Sequence, residues 1–314
     1  MITNIPTPEN LNDVALRLYF SAWSSLVGMR AEFEDVFVDD PTGNEWREEW
    51  TDYLVACQPE LQSICTLIQQ SNELALKAKI CSVSPFLLLL RSDAKLSTSP
   101  KDVDFSEFKT LDAVELPGAV NTFCKEHISD KFTQTYHDVR SLRNRISHLG
   151  QLNRQLLPDE LTRILLFQYA ELWPGRAWLN DRVRYASATR RAFFHDGKYA
   201  TAEMEVMYEL YHTFRMMTGA EFKRLFGHPK NTRRYLCHEC TYEASTRNFD
   251  LGFSKTCKTA FLDKSGQALE CLMCSKKFKV ARQRCSSPEC KGNVIGDNDD
   301  DYVGMCHVCG EGGE

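Results

Sequence analysis

Along the first 228 residues, apolar positions recur at intervals of three and four, the spacing of an amphipathic helix rather than the alternation of a strand. Leu11, Val14, Leu18, Ala22 and Leu26 share one face and predict a long helix over residues 11–36, broken by Pro41-Thr42-Gly43-Asn44. The same pattern predicts helices over residues 46–57 and 61–81, then a loop over 91–103 containing Ser97-Thr98-Ser99-Pro100, and short helices over 104–113 and 118–127. Phe132, Tyr136, Val139, Leu142, Ile146 and Leu149 mark a strongly periodic helix over 130–149, which Gly150 would stop. Pro158-Asp159-Glu160 suits the first turn of the next helix, because proline loses no needed donor there and the acids face the positive end of the helix dipole. Trp173-Pro174-Gly175 ends that helix, two more follow over 176–194 and 200–217, and Thr218 can cap a last one through Phe226. Beta-branched alternation is scarce, so residues 1–228 are expected to form an all-α bundle.

Beyond residue 228 the pattern changes. Nine of the 13 cysteines fall between 237 and 309, most of them as closely spaced pairs: Cys237 with Cys240, Cys271 with Cys274, Cys285 with Cys290, and Cys306 with Cys309. Two thiolates three residues apart can bite one tetrahedral ion, and two such knuckles complete a four-cysteine site. The sequential pairing gives two ribbons with short β-strands, residues 229–281 with Cys237, Cys240, Cys271 and Cys274, and residues 282–314 with Cys285, Cys290, Cys306 and Cys309. An interleaved pairing is the alternative. Four thiolates leave no open coordination position, so two structural Zn2+ ions are expected, contributing folding energy to segments too small for their own cores. Cys257 is surplus to eight ligands and reads as a small buried hydrophobe, an alternative ligand or a redox-sensitive thiol. His238 and His307 lie inside knuckles already complete and would sit beside the ligands or in solvent, while Cys57, Cys65, Cys81 and Cys124 read as helical core.

Charge is divided along the chain. Residues 1–220 carry 23 Lys and Arg against 30 Asp and Glu, residues 221–291 carry 15 against 7, and residues 292–314 carry none against 6. The basic stretch is where nucleic acid would be held, with Lys276, Lys277, Lys279, Arg282 and Arg284 on the backbone and Phe278 stacking a base. Asp297, Asp299, Asp300 and Asp301 disfavour nucleic acid at the second ribbon. Arg182, Arg184, Arg190 and Arg191 form a second basic stretch, read as a phosphate track or a solvated face, and the nine acids from Glu32 to Asp52 read as solvated loop, as a patch repelling RNA from one side or as a contact for a basic partner. The densest apolar run, residues 86–90, is far too short to span a bilayer, and no secretory signal is visible, so the expectation is a cytoplasmic protein without a membrane partner.

The candidate chemistry lies late in the 130–149 helix, in Ser141-Leu142-Arg143-Asn144-Arg145-Ile146-Ser147-His148. A guanidinium that stays charged and an imidazole that titrates near neutrality supply what phosphodiester cleavage without a metal requires. At about 100° and about 1.5 Å per residue, Arg143 and His148 stand about 140° apart around the helix and about 7.5 Å apart along it. One helix therefore closes them on one phosphate with difficulty, and a symmetric homodimer is the economical solution. Arg145 faces neither the core nor this site and is assigned to RNA backbone. His137, on the face of His148, is read as an exposed histidine or a substrate contact, and Ser147 as a support for the arginine or plain polar surface.

Arg143, Asn144 and His148 resemble the R-[polar]-x3-H form of the motif of the HEPN superfamily, helical-bundle ribonucleases. The resemblance implies metal-independent endoribonuclease activity at a dimer interface, by attack of a ribose 2′-hydroxyl, with His148 as general acid or base, Arg143 as phosphate clamp and Asn144 as orienting group. It further implies a role in antiviral defence or as a toxin, transfer RNA as a substrate by analogy, and a protein trigger or inhibitor. Glu73 and Lys77 are read as an ordinary surface pair on an earlier helix. The alternative function is a nonenzymatic adaptor whose ribbons bind nucleic acid or protein.

Overall fold

The computed structural model describes residues 1–37, 46–90, 102–149, 154–195, 201–247, 258–298 and 301–312. The Pro41–Asn44 and Ser97–Pro100 breakers, Gly150, Cys257, Asp299 and Asp300 lie outside these residues. The fold is mainly helical, with a small antiparallel sheet beside the C-terminal cysteines. The chain divides between Gly175 and Arg176 into two compact units. The helices from Trp178 to Phe226 thus fold with the cysteine-rich segment, whereas their periodicity had grouped them with the helices before residue 175.

The first unit is built on α1 (Pro8–Val36), α2 (Arg47–Ala56), α3 (Gln58–Cys81), α4 (Leu116–Phe123), α5 (Asp130–Leu149) and α6 (Pro158–Leu172). Thr7 caps α1, its hydroxyl accepting from the Asn10 amide at 3.2 Å, with Pro8 in the first turn. The buried stripe of α1 runs through Leu16, Tyr19, Trp23, Leu26 and Phe33; Val14, expected on that face, is 45% exposed. Aromatic bulk sets the phase here, since Tyr19 and Phe20 close an edge-to-face cluster with Tyr169 and Trp173 of the α6 end. Helix α3 is buried nearly all round, carrying Leu61, Ile64, Cys65, Ile68, Leu76 and Ile80, which identifies it as the central helix of the unit. Cys57, Cys65 and Cys81 are buried apolar-core positions, as their setting suggested, and Cys124 is half-buried. The expected helix over 104–113 reduces to a 3-10 turn, Phe105–Glu107, capped by Asp104. Before it, β2 (Val103–Asp104) pairs in parallel with β1 (Ile2–Thr3).

The second unit begins with α7 (Trp178–Ala186), a 3-10 turn at Arg190–Phe194, α8 (Ala202–Met216) and α9 (Gly219–Phe226). Arg182 of α7 clamps Glu209 of α8 through two hydrogen bonds at 2.6 and 2.8 Å, both side chains being largely buried. That arginine is therefore structural and does not track phosphate. Thr218 caps α9 in a capping box with Glu221, and Gly227, at φ 75°, closes the helix in the left-handed conformation. The chain then enters a five-stranded sheet in the order β3 (Arg234–Tyr235), β4 (Ala260–Leu262), β5 (Ala268–Cys271), β6 (Lys277–Ala281), β7 (Ile295–Gly296), interrupted by α10 (His238–Arg247). All its pairings are antiparallel. Because β7 continues the sheet from β6, a single sheet carries both cysteine clusters instead of one small sheet for each.

Candidate functional site

The eight knuckle cysteines form two groups of four, each with its sulfurs within 4.8 Å of one another: Cys237, Cys240, Cys271 and Cys274, and Cys285, Cys290, Cys306 and Cys309. This is the sequential pairing, and either group could hold one metal ion. The sulfur geometry makes the fit quantitative. Four sulfurs at about 2.3 Å from a tetrahedral ion lie about 3.8 Å from each other. The observed separations are 3.6 Å for Cys237 to Cys274, 3.8 Å for Cys240 to Cys271, 3.7 Å for Cys285 to Cys309 and 3.9 Å for Cys290 to Cys306. A disulfide would bring two sulfurs to about 2.05 Å.

Local backbone structure aims these sulfurs. Cys237 stands just before α10, where its Sγ accepts from the Cys240 amide. The Met273 amide points at Cys271 Sγ at 3.3 Å, the Gly292 amide at Cys290 Sγ at 3.3 Å, and the Val308 amide at Cys306 Sγ at 3.4 Å. Two knuckles close with the same tight turn: the Ser275 amide donates to Cys271 O and the Gly310 amide to Cys306 O, with positive φ of 58° and 86°. Hydrogen bonds from Cys237, Cys240 and Cys274 hold the Cys271 thiol well below its ordinary range. Burial pushes the Cys309 thiol up, to about 12.

Between the clusters lies a group of mutually tilted rings. His238 and His307, 3% and 0% exposed, face each other at 4.2 Å, with Tyr302 beside His238 and Phe278 beside His307. Neither histidine is solvent-exposed. His307 bonds Leu236 O through Nδ1, tying the second knuckle to the start of the first. Burial pushes His238 down to about 4.

The structure separates the predicted RNA-contacting residues. Phe278 is fully buried and offers no ring face to a base. Lys276 lies 2.8 Å from Glu239 and 3.2 Å from Asp301, where it braces the two clusters. Lys277 faces Glu270 across the strand pair at 3.6 Å. Lys277 and Lys279 project from the exposed face of β6, and Arg282 and Arg284 are exposed beyond it.

In the first unit, Phe132, Tyr136 and Val139 of α5 are buried as their spacing required, whereas Leu142 and Ile146 are only half-buried. Arg143 and Asn144 are half-buried, Arg145, Ser147 and His148 are exposed, and His137 is half-buried against Tyr136. The unexpected partner is Glu73. It does not pair with Lys77, which reaches Thr110 instead; it lies 3.2 Å from Arg143 Nη2 and accepts from Gln69 Nε2 at 3.0 Å. The surface-pair reading fails because α3 is central to the unit, which turns Glu73 toward α5. The one signal in the sequence is the polar run Gln69 to Glu73 in the middle of a long helix, of which Gln69, Ser71 and Asn72 are buried. Arg143 Nε is buried without an acceptor.

No protein family, curated protein or solved structure compared with this chain matches it. No helix among the described residues is long and apolar enough to cross a membrane.

Proposed function

We propose that the chain is a metal-independent endoribonuclease that acts as a homodimer through Arg143, Asn144 and His148, with two structural zinc ions holding the C-terminal module. The observation that supports this reading best is the anchoring of Arg143 by Glu73 on the helix that also carries an exposed His148. An anchored guanidinium offers fixed positive charge to a phosphodiester, and an exposed imidazole can exchange protons near neutral pH.

In the reaction, the ribose 2′-oxygen attacks phosphorus while its proton passes to a base. The bond to the 5′-oxygen breaks, and that oxygen takes a proton as it leaves. His148 of either protomer serves one of these transfers, Arg143 compensates the charge on the non-bridging oxygens, and Asn144 orients the phosphate. The products are a 2′,3′-cyclic phosphate and a 5′-hydroxyl. Zinc is assigned from the all-thiolate tetrahedral donor sets, which close the coordination shell and confine the ions to folding. A cytoplasmic role in antiviral defence or as a toxin, with transfer RNA as a substrate and a protein trigger or inhibitor, follows from the resemblance to HEPN ribonucleases.

Arg143→Ala and His148→Ala are each expected to lower cleavage at least about 100-fold while folding and self-association persist. Unchanged cleavage in both variants would refute the site. A wild-type chain that binds RNA without ever cutting it would favour the adaptor, for which the exposed Lys277, Lys279, Arg282 and Arg284 provide the surface.

A further inference from the structure

We propose that the Arg190–Phe194 turn is a binding platform for single-stranded nucleic acid, with Phe193 and Phe194 stacking on bases and Arg190 and Arg191 holding the adjoining phosphates. This deepens the reading above by naming the substrate as unpaired, and it rests on that reading only for the strand being RNA.

The turn is unusual in what it leaves in water. Phe193 is 87% exposed and Phe194 75% exposed, and their rings stand edge to face at 5.4 Å, so two ring planes are presented in different directions. Burying two phenylalanines would gain several kcal/mol, and soluble proteins seldom leave such neighbours bare without a use for them. Immediately before them in the chain, Arg190 is exposed, and no acid among the described residues pairs with it. Arg191 is 76% exposed and only 3.9 Å from the nearest Glu205 oxygen, a carboxylate that His195 also approaches at 3.4 Å. Cationic side chains beside open aromatic faces are the two components of sequence-tolerant recognition of single strands.

Other candidates that the sequence offered for this role are already engaged. The ribbon aromatic that the sequence offered, Phe278, is fully buried, Lys276 is engaged by two acids, and Arg182 is clamped by Glu209. A paired helix would hide its base faces from these rings, whereas a single strand can splay a base onto each. An anionic lipid surface could also meet arginine and phenylalanine, but a five-residue turn has no extended apolar face to insert.

The experiment measures binding of the full-length chain to a fluorescein-labelled 2′-O-methyl oligoadenylate of about 12 nucleotides. Its blocked 2′-oxygens keep it intact whether or not the protein is a nuclease. Phe193→Ala with Phe194→Ala is expected to weaken binding at least about tenfold, since each stacked base contributes about 1–3 kcal/mol, whereas Phe193→Tyr with Phe194→Tyr retains it. Arg190→Ala with Arg191→Ala should flatten the dependence of log affinity on log salt by about 1.4, because each single-strand phosphate contact contributes about 0.7. Equal affinity in the double alanine variant at 193 and 194 overturns the proposal. So does partition onto phosphatidylserine vesicles that is lost in the same variant without any oligonucleotide binding. Cleavage of an unmodified RNA by the Phe193→Ala with Phe194→Ala variant and by His148→Ala is followed in a separate assay, so failure of the cleavage site and failure of the platform are read separately.

Discussion

The ion pair between Glu73 and Arg143 makes an asymmetric prediction. At 3.2 Å, an ion pair in an effective dielectric of about 20 attracts by about 5 kcal/mol. The two side chains retain 26% and 20% of their exposure, so most of that attraction is offset by lost hydration. The net coupling should be about 1–2 kcal/mol, above the exposed-pair range of about 0.2–1 kcal/mol. The two truncations differ because the survivors differ. Arg143→Ala leaves Glu73 with its hydrogen bond from Gln69 and should cost about 1–2 kcal/mol. Glu73→Ala leaves a half-buried guanidinium whose Nε already lacks an acceptor, and should cost about 2–3 kcal/mol. Alanine favours helix at both positions, so propensity does not reverse the order. Urea unfolding of both single variants and the double variant, followed by tryptophan fluorescence, reads this directly, since only Trp178 of the five tryptophans lies outside the first unit. A coupling energy below about 0.3 kcal/mol, or a larger cost for Arg143→Ala than for Glu73→Ala, would refute the reasoning.

Other consequences are equally direct. Elemental analysis of the wild-type chain should give two metal ions per chain, falling to one in Cys271→Ser with Cys274→Ser; one ion in the wild type would break the two-centre assignment. Acid should release both ions, because the ligands bind as thiolates and protons compete with the metal as pH falls; retention that does not vary between neutral pH and about pH 4 would contradict thiolate ligation. Gly296→Ala would place its Cβ 2.0 Å from the Tyr302 carbonyl oxygen, so thermal unfolding should show a loss above about 2 kcal/mol, with Gly219→Ala, which meets nothing within 4 Å, as the mild control. Ser275→Gly should stabilise by about 0.5–1 kcal/mol in the same assay, since the serine occupies the left-handed region at φ 58° where the other cluster has Gly310 at φ 86°, and a destabilised variant would show that its side chain matters more than its backbone.

Much of this was legible because it is encoded locally. The cap at Thr218 and the periodicity of α5 each involve residues within a few positions of one another, and the helices they mark formed close to the expected bounds. The cysteine spacing likewise identified both four-sulfur groups and their membership. What local pattern missed were partners distant in the chain. Glu73 lies 70 residues from Arg143, so an i to i+4 neighbour looked the better match for it than a helix not yet placed. Phe278 and Lys276 sit in a run as basic as any in the chain, but strand alternation turned the ring inward and two acids took the ammonium.

By itself the sequence determined the helical class, the position of the motif helix and the membership of two four-cysteine groups, since hydrophobic period, capping chemistry and cysteine spacing depend on short spans of chain. Tertiary structure decided which charges are already paired, which aromatics remain in water, and that α7, α8 and α9 fold with the cysteine clusters rather than with α1 to α6. Those outcomes turn on how elements far apart in the chain share burial, and a helical stripe states only that it must be covered, not by what.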